Sequence, residues 1–285
     1  MRSILAALWI LCLTIHLNAQ EIEGRILDSL SSIPLEYASL GIVDTRYGTI
    51  TDQQGMFRLE VKELDPESML RISMIGYKAQ SFTLEELRNK DNIILLAVDP
   101  VPLAEVTISP MGEPYSIGTT QYNRLGNWCG WGGSRFGKGH EIGTRLDLGD
   151  QPVHIRKLHV HVHRQAYDTI WFRLHIRNLK DEKPNEELLT GNVIVTIEAE
   201  KGWVELDLDE YNIVQEGEVA ISLEWLKISG VNEDRAMKIN QKVTTEYLLF
   251  NTKKKQGIIY TRWGVEGKWN TGSEGSPAMY LTVQK

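Results

Sequence analysis

The chain has 285 residues, 24% of them charged, a formal net charge of −7 and two cysteines. A mildly acidic balance excludes the basic footprint of a general nucleic-acid binder. The length predicts two domains at ~100–200 residues each, and each is long enough to bury a core without cross-links.

The first residues carry a compartment signal. Arg2 precedes an apolar run from Ile4 to Ile15, then polar His16 and Asn18, then small Ala19. That order predicts a secretory signal peptide over residues 1–19. The run is shorter than the ~20 residues a bilayer span needs, and no later stretch reaches that length, so no transmembrane segment is expected in the mature chain. The localisation expected is export, to the periplasm, the outer-membrane surface or the medium. Cys12 leaves with the signal. Cys129 then has no partner and is expected to be buried, with packing rather than disulfides holding the fold.

Residues 20–98 read as seven short strands. Phe57, Leu59 and Val61 alternate with Met56, Arg58 and Glu60, and Leu70, Ile72 and Met74 alternate with Arg71 and Ser73. Period two of this kind marks half-buried strands. Ile22–Leu27, Tyr37–Val43, Gly48–Thr51, Tyr77–Phe82 and Asn92–Val98 complete the set, and Leu84–Asn89 reads as a short helical turn. Asp52 is placed to hydrogen-bond its own turn, Gly55 to take a positive φ, and Phe57 to re-enter the core.

Four segments in order, Gly24-Arg-Ile, Ile33-Pro-Leu-Glu-Tyr-Ala-Ser-Leu, Gly48-Thr-Ile-Thr-Asp-Gln-Gln-Gly-Met-Phe57 and Ile72-Ser-Met-Ile-Gly-Tyr77, resemble the carboxypeptidase regulatory-like domain. The resemblance implies a transthyretin-like sandwich of a kind common in exported proteins of the Bacteroidota, where it often precedes TonB-dependent receptors. It implies no catalytic residues, and no His-x-x-Glu segment of a zinc peptidase occurs in the chain. The stretch after residue 110 is too short for a plug and a ~22-stranded transporter barrel.

Residues 99–127 read as a linker, beginning with the proline-rich Asp99-Pro-Val-Pro-Leu-Ala-Glu-Val-Thr-Ile-Ser-Pro110. The linker predicts that the flanking pieces fold alone and melt independently. From Trp128 to Lys285 about ten longer strands and no convincing helix predict a jelly-roll-like β-sandwich. The expected fold class is therefore all-β: a small seven-stranded sandwich followed by a larger one. Gly139-His-Glu-Ile-Gly143, Ile155-Arg-Lys-Leu158, Phe172-Arg-Leu-His-Ile-Arg177, Glu187-Leu-Leu-Thr190, Trp203-Val-Glu-Leu-Asp-Leu208 and Val219-Ala-Ile-Ser-Leu-Glu-Trp225 resemble a domain of exported proteins of the same bacterial group, to which no chemistry is attached.

Catalytic constellations are missing. No Gly-x-Ser-x-Gly elbow and no phosphate loop followed by Lys-Ser or Lys-Thr occurs. The expectation is a non-catalytic envelope protein with an adhesive, assembly or accessory role, no cofactor, and an envelope protein or a glycan as partner. Two alternatives stand beside it. A carbohydrate-binding module draws on the high tryptophan count: Trp128, Trp131, Trp263 and Trp269 lie near glycines and turns and are the candidate stacking rings, whereas Trp203 and Trp225 read as core. A metal-dependent enzyme draws on the histidines of one strand.

That strand supplies the candidate ligand-binding face. Leu158, Val160 and Val162 alternate with His159, His161 and His163, so the apolar set is expected inside and the histidines outside. The next strand places Trp171, Arg173, His175 and Arg177 outward. With Gln165–Tyr167 as a turn, the two strands pair antiparallel, setting His161 opposite Trp171 and His159 opposite Arg173. His159, His161, His163, Trp171, Arg173 and His175 would then share one exposed face. A metal ion, or an anion that would bind more tightly below about pH 6.5 where histidine gains charge, competes there with a merely solvated surface.

Overall fold

The computed structural model describes residues 20–62, 64–88, 91–99, 112–123, 128–132, 138–239, 242–244, 246–254, 257–273 and 275–285. The expected signal peptide and most of the expected linker lie outside these residues.

The N-terminal sandwich has seven strands: β1 (Gln20–Asp28), β2 (Ser39–Ile42), β3 (Gly48–Ile50), β4 (Met56–Val61), β5 (Met69–Ser73), β6 (Gln80–Thr83) and β7 (Asn92–Leu96). They form one sheet in the order β4-β1-β7 and a second in the order β3-β2-β5-β6. The alternation in β4 is the reason it forms: Phe57, Leu59 and Val61 are buried and their neighbours exposed, so one face has a core to fill. Between β3 and β4, Asp52 Oδ1 accepts from the backbone N–H of Gln54 and of Met56, both at 2.9 Å, and Gly55 has φ +71°. The single helical turn, α1 (Leu84–Leu87), starts on a capping box in which Thr83 and Glu86 satisfy each other's backbone N–H.

The second sandwich is built from β8 (Tyr115–Gly118), β9 (Trp128–Gly132), β10 (Glu141–Asp147), β11 (Val153–Gln165), β12 (Tyr167–Lys180), β13 (Lys183–Glu187), β14 (Val193–Ile197), β15 (Gly202–Asp207), β16 (Ile213–Gln215) and β17 (Glu218–Val231). After a separate hairpin of β18 (Met237–Ile239) and β19 (Lys242–Thr244), it is completed by β20 (Tyr247–Lys254), β21 (Ile259–Arg262), β22 (Trp269–Gly272), β23 (Gly275–Pro277) and β24 (Met279–Gln284). A seven-stranded sheet runs β13-β12-β17-β10-β21-β22, with β14 added to β12. An eight-stranded sheet runs β23-β20-β11-β24-β8, with β15 and β16 on the other side of β11 and β9 on β20. Their inner faces meet in one core that includes Leu158, Val160, Phe172, Leu174, Leu223 and Trp225. Tyr115–Gly118, inside the expected linker, is in fact a strand of this sheet, paired with β24.

The expected pairing of β11 with β12 does not occur. β11 pairs with β15, β16, β20 and β24, and β12 pairs with β13, β14 and β17. The two strands lie in opposite sheets, joined through the fully buried Gln165 and Ala166. Gln165 Oε1 accepts from the Tyr167 N–H at 2.6 Å, holding the corner. A tight hairpin needs positive φ at its central residues, hence Gly, Asn or Asp, and Gln165-Ala-Tyr offers none. The alternation itself is right on both strands. The outer face of β11 presents His159, His161 and His163, and the outer face of β12 presents Trp171, Arg173, His175 and Arg177, but these are opposite surfaces of one sandwich.

Trp131, a candidate stacking ring, is a core residue. It is buried, with its ring centroid 5.2 Å from Trp225 and 6.3 Å from Phe172. Cys129, also on β9, packs partly buried against the same core, and desolvation pushes its thiol up to about 12, so it stays protonated.

Candidate functional site

The outer face of the seven-stranded sheet is covered by the N-terminal sandwich. Ile50, Leu226 and Val265 form a small apolar cluster across the junction, flanked by Tyr37, Trp171 and Ile194. Lys227 lies 5.0 Å from the Tyr37 ring and 4.9 Å from the Trp171 ring, with Glu36 as its ion-pair partner at 3.3 Å. The turn after β21 presses into the hairpin of β2 and β3. Glu266 pairs with Arg71 at 2.7 Å, and its carbonyl accepts from the Asp44 N–H. A Cβ on Gly41 would fall 2.7 Å from the Glu266 backbone nitrogen, and one on Gly264, at φ +84°, would fall 2.6 Å from the Arg46 carbonyl. Only glycine permits that approach.

Beside this contact a cleft of about 440 Å³ opens, lined among others by Ser39, Arg71, Tyr77, Asn185, Glu187 and Arg262. Its floor is a buried charged cluster. Arg173 Nη1 donates to Glu224 Oε2 at 3.1 Å and to Ser39 Oγ at 3.0 Å, and Nη2 donates to the Tyr37 carbonyl. Ser39 Oγ in turn donates to Glu224 Oε1 at 3.1 Å. Arg177 Nη1 meets Glu141 Oε2 at 2.6 Å, Arg262 takes the other Glu141 oxygen, and Ser222 donates to Oε2 at 2.8 Å. His175 sits between carboxylates, Nδ1 at 2.5 Å from Glu187 and Nε2 at 2.9 Å from Glu224. Trp269, another candidate stacking ring, lies against the guanidiniums of Arg262 and Arg177, at 4.9 and 5.5 Å.

The electrostatics follow from this pairing. Burial pushes the Glu224 carboxyl up, but Arg173 and His175 pull harder and leave it at about 2. Burial acts likewise on Glu141, where Arg177, Arg262 and His175 hold the carboxyl well below its usual range, and on Glu187, lowered chiefly by His175. Desolvation and Arg177 oppose protonation of His175, yet Glu141 and Glu187 raise it above its ordinary value. A raised histidine stabilises fully below its unfolded value of about 6.5 and loses that contribution as pH rises through the folded value. Lowered carboxylates stabilise above about 4.5 and lose it as pH falls through their folded values. The contribution of this cluster to thermal stability is therefore expected to be greatest between about pH 4.5 and 6.5. His175→Asn should flatten the alkaline limb of a plot of melting temperature against pH, and an unchanged limb would assign that limb to other groups.

Ligand atoms of Glu141, His175 and Glu224 lie within 4.8 Å of one another, a spacing that suits a metal ion. The residues present do not fit one. Each carboxylate is already engaged by a guanidinium, and Glu141, Glu224 and the half-buried Glu187 balance three buried or half-buried arginines, so a divalent cation would add uncompensated charge in a desolvated place. The arrangement is a clasp between sandwiches. Arg173 and His175, expected on an open face, are instead buried beneath the N-terminal sandwich, and Trp171 is half-buried at its edge.

The histidine face of β11 also differs from expectation. His159 and His161 are buried among rings, and desolvation lowers both below the ordinary imidazole value. Lys157 is tied to Glu205 at 2.5 Å. No basic patch results, which removes the premise of the expected anion site. Trp203, expected in the core, is 39% exposed, whereas Trp225 is buried as expected. Trp263 is exposed, edge-on to His140 at 5.1 Å. The clasp glutamates were missed because Ser222 and Glu224 alternate with Ile221, Leu223 and Trp225, a pattern that ordinarily means a solvent-facing side.

Comparison with known proteins bears on the N-terminal third. Residues 22–108 match the family described as the CarboxypepD_reg-like domain, and that part of the chain is a carboxypeptidase regulatory-like domain. No curated protein matches the chain. Among solved structures, one described as the structure of infectious bursal disease virus Gt strain aligns at 10% identity with a TM-score of 0.17, over 94% of this chain and 63% of that one. That likeness carries no argument about fold or function. No helix among the described residues is long and apolar enough to cross a membrane.

Proposed function

We propose that the chain is an exported, non-catalytic protein of the cell envelope, in which a regulatory-like sandwich is clasped to a larger sandwich that does the binding. The observation that carries the non-catalytic part is the state of the interdomain cleft. Glu141, Glu187 and Glu224 are held ionised by neighbouring arginines and histidine, and both nitrogens of His175 face carboxylates. A general acid or base needs a value near the working pH and a free site for the proton it moves. Here each of these sites is already engaged, within the larger sandwich or, at Glu224, also by Ser39 of the smaller one. Export rests on the order of Arg2, the apolar run and Ala19.

The test is assay of the purified chain against peptide, ester, phosphoester and glycoside substrates, with and without added zinc, together with metal analysis. No turnover and less than about 0.1 metal per chain are expected, since the candidate ligands are already paired. Turnover abolished by His175→Asn or Glu224→Gln would overturn the reading.

A further inference from the structure

The outer face of the eight-stranded sheet, remote from the clasp, gathers aromatic rings from four strands and a loop. Register sets Trp203 of β15 opposite His161 of β11, and Glu205 opposite His159. On the other side of β11, Tyr280 of β24 stands opposite His159. The sheet continues through Ala278 and Asn251 to β9, where Trp128 is opposite Asn251. Tyr122 lies over His161, ring centroids 3.7 Å apart, and 6.3 Å from Trp203. Parity confirms the side: Val204, Val160, Val162, Cys129, Trp131, Met279 and Leu281 belong to or pack on the core, so their alternate neighbours face outward. From β15 to β9 the row spans three strand spacings, about 14 Å.

The rings around Trp203 are held in place by one another. His159 and Tyr280 stack at 4.2 Å with planes 4° apart, and Trp203 meets His161 and Tyr280 edge-on at 5.1 Å each. Trp128 and Trp203 are nevertheless 42% and 39% exposed. Large rings left in water and rimmed by polar groups mark an interaction site, and rings already fixed lose little conformational freedom on binding. Charges at the rim are matched, Lys157 with Glu205, Arg164 with Glu200 and Arg156 with Asp209. The two central imidazoles are kept toward their neutral form by burial. A charged ligand would have to break these pairs. A lipid surface or an apolar protein partner calls for aliphatic side chains, whereas this face interleaves rings with imidazole, hydroxyl and carboxylate groups. A sugar matches that alternation, with C–H groups on its flat side and hydroxyls around its edge.

We propose that this face is a binding platform for an extended neutral carbohydrate chain, seated across Trp203, Tyr280, Tyr122 and Trp128. The proposal deepens the binding role stated above by naming its ligand class and place, and it rests on that reading only for the assumption that bound sugar is not cleaved.

The test is native electrophoresis of the full chain through gels carrying hydroxyethylcellulose, xylan, mannan or a β-1,3-glucan, followed by tryptophan-fluorescence titration with hexasaccharides of the same linkages. Retardation by at least one polymer is expected. Trp203→Ala and Tyr280→Ala should each weaken binding about tenfold or more while melting within a few degrees of the wild type. Trp263→Ala, altering an exposed ring away from this face, should leave binding unchanged. No retardation by any polymer, or retardation undiminished in both platform variants, overturns the proposal. So does sedimentation showing a wild-type dimer that Trp203→Ala dissociates, which would make a second copy the occupant. Release of reducing sugar by the wild type would instead overturn the non-catalytic reading and leave the platform standing, so the two fail separately.

Discussion

Arg173→Ala is expected to destabilise the protein by about 3–5 kcal/mol, the cost of leaving one member of a buried ion pair without its partner. Arg173 is 2% and Glu224 1% exposed. Removing the guanidinium leaves Glu224 without its arginine partner and strips the Tyr37 carbonyl and Ser39 hydroxyl of their donor. For a chain of this size the loss corresponds to a fall in melting temperature on the order of 10 °C, measured by calorimetry. Replacing both partners together, as in Arg173→Met with Glu224→Leu, should recover much of it, because no charge is then stranded. The same contacts alter the expectation of independent melting. A buried cluster shared by both halves, with the apolar contact of Ile50, Leu226 and Val265 beside it, should give the wild type one transition. Two should separate only when the clasp is broken. A wild type already melting in two steps, with Arg173→Ala costing less than about 1 kcal/mol, would show that the clasp does not hold the halves together.

Trp131→Ala is expected to cost a similar 3–5 kcal/mol, through the lost transfer of a large ring and the cavity it leaves. The ring is 4% exposed and wedged among Phe172, Trp225 and Phe250. A surface stacking residue would cost well under 1 kcal/mol, so chemical denaturation of this one variant separates the two roles. Trp203→Ala, by contrast, should be nearly neutral to stability. Equal losses in the two variants would mean that the assignment of inner and outer faces is wrong.

Much of this architecture could be read without coordinates. All seven strands of the first sandwich were legible, two of them by period-two alternation, and the turn chemistry of Asp52 and Gly55 was legible because a local hydrogen bond and a positive φ depend only on residues nearby. The same alternation placed Leu158, Val160 and Val162 inside and the three histidines outside. Trp203 illustrates a signal that was present and overridden. It shares parity with Glu205 and Asp207, whereas Val204 and Leu206 take the core side, so its ring had to face out despite its size. The missing turn residues between Gln165 and Tyr167 were likewise visible, and they argued against a hairpin.

What the chain alone could not decide is which sheet a strand joins and what covers its outer face. Alternation reports that a side is polar, and the same pattern serves a face in water and a face buried under a second domain. Arg173 and Glu224, with His175 and Glu141 packed beside them, become part of a clasp only because the hairpin of β2 and β3 and the turn at Val265 and Glu266 bring the N-terminal sandwich down on this face, through contacts spanning well over a hundred residues of sequence. The platform likewise depends on β9, β11, β15 and β24 lying side by side. Local residue chemistry therefore determined the strands and their faces, and long-range packing decided which polar face became a joint and which was left open to a ligand.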